Sequence, residues 1–333
     1  MLACLIGGCC ANGDPWVVES IDSSKPWVNV PPRIAVADGA VFVHAIDRFD
    51  DIMVVLSRHA QSEDWTGRYM GLTRFDPGGD FATDEAGHPY GCLVTNGPSA
   101  GRLNSWSSSA SGLESELVTE GARPSCSVVR NAEGRTDIFF GRRGELWHGW
   151  REGSDGWSFE PVGPASIWSN AVDSARGADG IHVSYSSFGH LFYALYVDNE
   201  WSVTRLGEGD QPVMDLDHAG RPHIVVIHGR QVEWWRQDAD GVWGMERVYR
   251  CGHFAYLRHL SMAIGPEGTP VVAVHEGGES LPWSVRSTLV SKRDGEWQEE
   301  VLPWTECSSI AIDGQQRLHV VFADREGVKH AVR

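Results

Sequence analysis

Positive charge is scarce in this chain. Among 333 residues, 28 Lys and Arg stand against 45 Asp and Glu, a formal net charge of −17. That balance argues against nucleic acid, whose phosphates are met by clustered Lys and Arg, and against a basic patch on anionic lipid. It fits a soluble, self-repelling surface with room for a cationic partner. Long apolar runs are also missing. Beyond the first ten residues nothing approaches the ~18 continuous apolar residues of a membrane-spanning helix. Beyond those ten residues there are four cysteines, Cys92, Cys126, Cys251 and Cys307, and none is at CxxC spacing. His253 and His259 are not at the spacing of a zinc-binding helix either, so no metal is expected. No Gly-rich phosphate loop and no GxSxG elbow occurs, and no cofactor is implied. What the chain does have is Trp (15) and Gly (38), in a 41% hydrophobic, 22% charged composition ordinary for a folded protein. Repeated Trp and Gly at this length point to a repeating β architecture.

One pattern recurs along the chain. Its clearest copy runs from Met214 to Val248. An alternating strand through Leu216 leads to a turn at Gly220. A second strand covers Pro222-His223-Ile224-Val225-Val226. After His228-Gly229 comes a third, Val232-Glu233-Trp234-Trp235, and after Asp240-Gly241 a fourth that opens at Trp243. Asp-Gly between alternating runs is a strong hairpin signal, and four short antiparallel strands make one propeller blade. The position of His223 recurs at Phe42, Tyr90, Asp137, His182, Val271 and His319, about every 46 residues. The aromatic opening the fourth strand recurs at Trp65, Trp157, Trp201 and Trp297, with Leu113 in the second copy.

The last copy stops after three strands, ending at Val328-Lys329-His330-Ala331, and the strand it lacks should begin with Trp. Trp16-Val17-Val18-Glu19-Ser20-Ile21 has that character and no blade of its own. The expected fold is therefore all-β: a seven-bladed β-propeller of four-stranded antiparallel blades over residues 16–333. Its ring is closed by the N-terminal strand completing the last blade, which removes exposed strand edges.

Residues 1–15 read as a signal remnant and linker. Ile6-Gly7-Gly8-Cys9 resembles a bacterial lipobox, which implies lipidation at Cys9, with Cys10 the other candidate, and an extracytoplasmic, lipid-anchored or secreted protein. The four remaining cysteines suit an oxidising compartment and allow three pairings. Free buried thiols are the alternative.

Strand, Gly, Pro-His-Val-Val, Leu-x-Tyr-Ala and Asp-Gly-x-Trp together resemble the sialidase-type, neuraminidase-repeat propeller superfamily. Leu191-Phe192-Tyr193-Ala194, Asp155-Gly156-Trp157 and Asp294-Gly295-Glu296-Trp297 carry the likeness, and Ser291 to Trp297 approximates the family's Asp box. Pro32-Arg33-Ile34-Ala35 keeps the Arg-Ile of an early family motif, which implies a carboxylate-binding role for Arg33.

A position that recurs in most blades is scaffold, so His182, His223, His319 and the fourth-strand tryptophans read as packing residues. Function is sought where the pattern breaks, in the loops from strand two to three and from strand four to the next blade, which share one face of a propeller. Asp47, His275, Glu276, Asp324 and Arg325 fall in or beside such loops, and Arg123 lies between blades. Gly67 to Gly79 and Tyr249 to Leu260 are the longest irregular connections, and the second gathers His253, Tyr256 and Arg258, side chains that suit sugars, carboxylates or a protein hot spot. A Cys251–Cys307 bridge would instead make that stretch a cover for the channel mouth. The expected function is a monomeric, non-catalytic binding module for a glycan or protein. A sialidase-like glycoside hydrolase or lyase is the alternative, with acid groups drawn from Asp47, Asp50, Glu276 and Asp324.

Overall fold

The computed structural model describes residues 16–22, 32–37, 39–47, 52–59, 62, 64–71, 75–84, 86–96, 101–109, 111–131, 133–153, 155–164, 172–252, 255–265, 267–278, 286–303, 308–324 and 327–333. These form seven four-stranded antiparallel sheets, and the fold is a seven-bladed β-propeller. The described residues contain no helix.

Two compact units carry the blades. One comprises Met1–Gly71 with Cys251–Arg333 and the other Leu72–Arg250. The first unit holds blade one (Arg33–Ala37, Ala40–Asp47, Ile52–His59, Thr66–Gly71), blade six (Ala255–Ile264, Pro270–Gly278, Arg286–Arg293, Glu296–Val301) and blade seven. Blade seven orders its strands Ser308–Ile312, Leu318–Asp324, Gly327–Val332 and then Val17–Asp22. The N-terminal strand therefore completes the last blade, with Val17 opposite Val332 and Glu19 opposite His330. The second unit holds blade two (Phe75–Thr83, Pro89–Asn96, Gly101–Ser109, Gly112–Ala122) and blade three (Cys126–Arg130, Thr136–Arg142, Glu145–Arg151, Ser158–Pro164). It also holds blade four (Val172–Arg176, Ile181–Ser187, His190–Val197, Glu200–Glu208) and blade five (Asp210–Leu216, Pro222–His228, Gln231–Gln237, Trp243–Arg250).

Packing follows from the alternation of each strand. Every blade shows apolar residues on both faces, and each core cluster straddles two successive blades. Phe139 and Leu146 of blade three meet Val183 and Tyr185 of blade four, with Trp201 against them. Val320 and Phe322 of blade seven meet Ala273 and Leu289 of blade six. The first strands are further laced by polar side chains at one shared position. Asp80 accepts from the Val128 backbone N–H at 3.2 Å, Asp173 from Met214 at 2.8 Å, and Ser261 from Ile310 at 3.0 Å. Each bond reaches from one blade to the next and satisfies a donor that would otherwise be buried alone.

Candidate functional site

The stretch from Tyr249 to Leu260 is mostly strand, not loop: blade five runs to Arg250 and blade six resumes at Ala255. A β-bulge hides this from a period-two reading. Tyr256 pairs with Gly277 and Leu257 with Glu276, then the register shifts so that His259 faces His275. Arg258 is the extra residue, and a bulge re-aims such a side chain. Its Nε donates to the Tyr256 hydroxyl at 3.0 Å, and its guanidinium lies 5.0 Å from that ring's centroid. Gly277 makes the room. A Cβ there would come within 2.4 Å of Arg258 Nε and 2.7 Å of Tyr256 Cζ. Both side chains stay exposed, Tyr256 by 40%.

Behind this pair stand histidines. His275 is fully buried, its ring 3.3 Å from the Ser287 hydroxyl, and half-buried His259 faces it across the strands. In blade one, Arg33 sits opposite buried His44. Burial is the main force on all three imidazoles, and the nearby cations add to it. Desolvation and the charge of Arg33 push His44 down to about 3. Desolvation, His275 and Arg33 push His259 down to about 3. Desolvation and Arg258 push His275 down to about 4. Arg33 thus acts on histidines of both blade one and blade six. The result is two permanent guanidinium charges set against three imidazoles that burial keeps from taking up charge of their own. The guanidiniums can take an anionic group and exposed Tyr256 the apolar face of a sugar.

Of the expected site residues, Arg33, Tyr256, Arg258 and His275 fall in this group. Glu276 is buried at 6% and, as the next residue along an extended strand, points to the face opposite His275. Arg123 belongs to the other unit, exposed, in a turn where its N–H donates to Gly141 O at 2.8 Å. The side chains of Asp47 and Asp324, and His253, Arg325, Asp50, Cys9 and Cys307 altogether, lie outside the described residues. Cys92 and Cys126 form a disulfide joining blades two and three, with Cα atoms 6.3 Å apart. Cys251 is buried, its sulfur 3.4 Å from Ala255 O. Among the described residues, no three His, Cys, Asp or Glu side chains gather as metal ligands. His44 was not singled out from the sequence. Its signal is slight: one polar residue inside Val41-Phe42-Val43-His44-Ala45-Ile46, which reads as an ordinary buried strand.

No protein-family model and no curated protein matches this chain. Solved structures do. The hydrazine synthase of Kuenenia stuttgartiensis superposes with a TM-score of 0.57 at 10% identity, over 93% of this chain and 96% of that one. The α-L-arabinanase of Penicillium chrysogenum, complexed with arabinobiose, gives 0.54 at 12% identity over 94% and 96%. A Lactobacillus plantarum protein gives 0.51 at 12% over 91% and 88%. The likeness is one of fold. At these identities it carries no chemistry from one chain to another.

Proposed function

We propose that this protein is an extracytoplasmic, non-catalytic binding module that recognises a glycan bearing carboxylate groups, bound at Arg33, Arg258 and Tyr256. The observation that carries the reading is the exposed pair on the bulge of blade six, Arg258 with its Nε bonded to the Tyr256 hydroxyl at 3.0 Å, in a chain whose net charge is −17. A guanidinium selects an anion and a tyrosine ring the apolar face of a sugar, and the buried histidines behind them add no charge of their own. The Cys92–Cys126 disulfide supports an oxidising compartment, in keeping with the lipid-anchored or secreted destination implied by the Cys9 lipobox. The resemblance to sialidase-type propellers belongs with this proposal and supports a sugar ligand.

A second reading is glycoside cleavage, which needs two carboxylates about 5–10 Å apart; Glu276, the buried carboxylate next to His275 in sequence, points to the opposite face and does not favour it. A glycan array that pairs uronic-acid oligosaccharides with their neutral counterparts tests both. The binding reading expects signal on the acidic members alone and no shortened products. Signal on neutral oligosaccharides, or release of shorter sugars, would overturn it.

A further inference from the structure

A histidine stands at one position of the second strand in blades four, five and seven: His182, His223 and His319. In each, Nε2 faces a nearby carboxylate: Asp179 at 3.0 Å, Asp217 at 3.5 Å and Asp313 at 3.1 Å. Nδ1 faces a third-strand residue: the Tyr193 hydroxyl at 2.7 Å, the Trp234 indole N–H at 3.2 Å and His330 Nε2 at 2.9 Å. A carboxylate only accepts and an indole N–H only donates. In blade five the proton of His223 is therefore on Nε2 and Nδ1 accepts from the indole; by the same arrangement the third-strand residue of blades four and seven is assigned as the donor. In blade seven that donor is His330 Nε2. The other nitrogen of His330, Nδ1, lies 2.7 Å from Glu19 Oε1, and Glu19 is in turn ion-paired with Arg58 at 2.6 Å. A carboxylate paired with arginine is an acceptor, so Nδ1 must donate as well. His330 is fully buried and has both ring nitrogens engaged as donors.

Blade three repeats the arrangement. Fully buried His148 has Nε2 2.8 Å from Asp137 Oδ1 and Nδ1 3.0 Å from Glu160 Oε1, so it too faces an acceptor on each side. There the fourth strand is the next segment of chain. In blade seven the fourth strand is the N-terminal one, and its Glu19 is the cross-strand partner of His330 in the third strand.

We propose that His330 is a buried imidazolium that fastens the N-terminal strand Val17–Asp22 to blade seven, and that losing its proton loosens that strand while the rest of the blade stays paired. The groups facing it are Glu19, His319 and the Trp65 ring at 5.7 Å, with Arg58 and Arg317 behind the two carboxylates Glu19 and Asp313. Burial pushes His319 down, an effect the Asp313 bond opposes and the charge of His330 reinforces, which suits a neutral ring beside a charged one. Burial raises the Glu19 carboxyl, but the His330 bond and Arg58 outweigh it and hold it low. Three hydrogen bonds in the chain Asp313–His319–His330–Glu19 need three ring protons. With only two, a buried lone pair faces another acceptor. The fastening therefore belongs to the protonated form and is lost as pH rises.

Nitrogen-15 NMR of histidine-labelled full-length chain, with hydrogen exchange of residues 17–22 from about pH 6 to about pH 9, tests this. His330 and His148 should show both ring nitrogens protonated, and His182 and His223 only Nε2. Protection of residues 17–22, corrected for intrinsic exchange, should fall about tenfold or more with rising pH, the loss of one charge-assisted hydrogen bond. In Glu19→Gln, His330 should read as neutral and the strand should be weakly protected at every pH. A neutral His330 in the unaltered protein, or pH-independent protection of residues 17–22, would overturn the proposal, and neither readout depends on the variant folding.

Discussion

His44, His259 and His275 tie the candidate site to acid stability. Each folded-state value lies below the ordinary histidine value of 6.5. As pH falls below that value, the unfolded chain takes up protons the folded chain refuses, and stability drops until the folded value is reached. The slope is up to about 1.4 kcal/mol per pH unit for each histidine. Replacing His275 by Gln removes one of these liabilities. The stability lost between about pH 7 and about pH 4.5 in urea denaturation should shrink by about 2 kcal/mol, and an unchanged loss would contradict the assigned burial. Asp217 and Asp313 behave differently. Burial works to raise them, but their bonds to Arg221, and to His319 and Arg317, win and bring both to about 2. Their contribution is intact above the ordinary carboxylate value and fails only in stronger acid, so the two windows separate. At this scale the sequence was readable where residues repeat: His182, His223 and His319 line one strand column and fill scaffold roles. His44 has no counterpart in other blades and stands in an apolar run, so nothing in the sequence separates it from core.

Strands show where period-two reading works and where it stops. Blade five was legible strand by strand because Gly220 and Gly241 both take the positive φ that their turns require, at 77° and 79°. The segments at Gly67 to Gly79 and Tyr249 to Leu260 looked irregular because each contains a bulge, between Phe75 and Gly79 and between Leu257 and His259. One inserted residue flips the alternation, and a strand then resembles a loop. The fourth-strand tryptophans pack between blades, as their repetition indicates, but polar contacts between blades were not legible, since they depend on which strands become neighbours. Asp173 is the sharpest case. It accepts from Met214 N–H at 2.8 Å, and the Ser127 hydroxyl lies 3.4 Å away. Asp173→Ala should cost about 1–3 kcal/mol in chemical denaturation, because a part-buried N–H loses its acceptor, with Asp173→Asn milder. Equal stability for Asp173→Ala and the unaltered protein would show that the bond between blades four and five contributes nothing.

The blade count was open to sequence reasoning because a unit of about 46 residues is written seven times, and repetition averages out local ambiguity. The missing strand after residue 332 and the spare one at residue 17 likewise had a single simple resolution, and the pairing of Val17 with Val332 bears it out. The candidate site is the opposite case, since it is made of what the repeats do not share. The chain as a whole repels anions, with a net charge of −17. At physiological salt that repulsion is screened beyond about 8 Å, so under the proposed function contact with Arg33 and Arg258 should decide affinity. Calorimetric titration of a galacturonic-acid oligosaccharide against its methyl ester, on the unaltered chain and on Arg258→Ala, tests this most directly. The acid should bind, the ester should not, and Arg258→Ala should lose about tenfold or more, the range of a charge-assisted hydrogen bond. Equal binding of acid and ester, or full affinity in Arg258→Ala, would contradict a guanidinium-centred site.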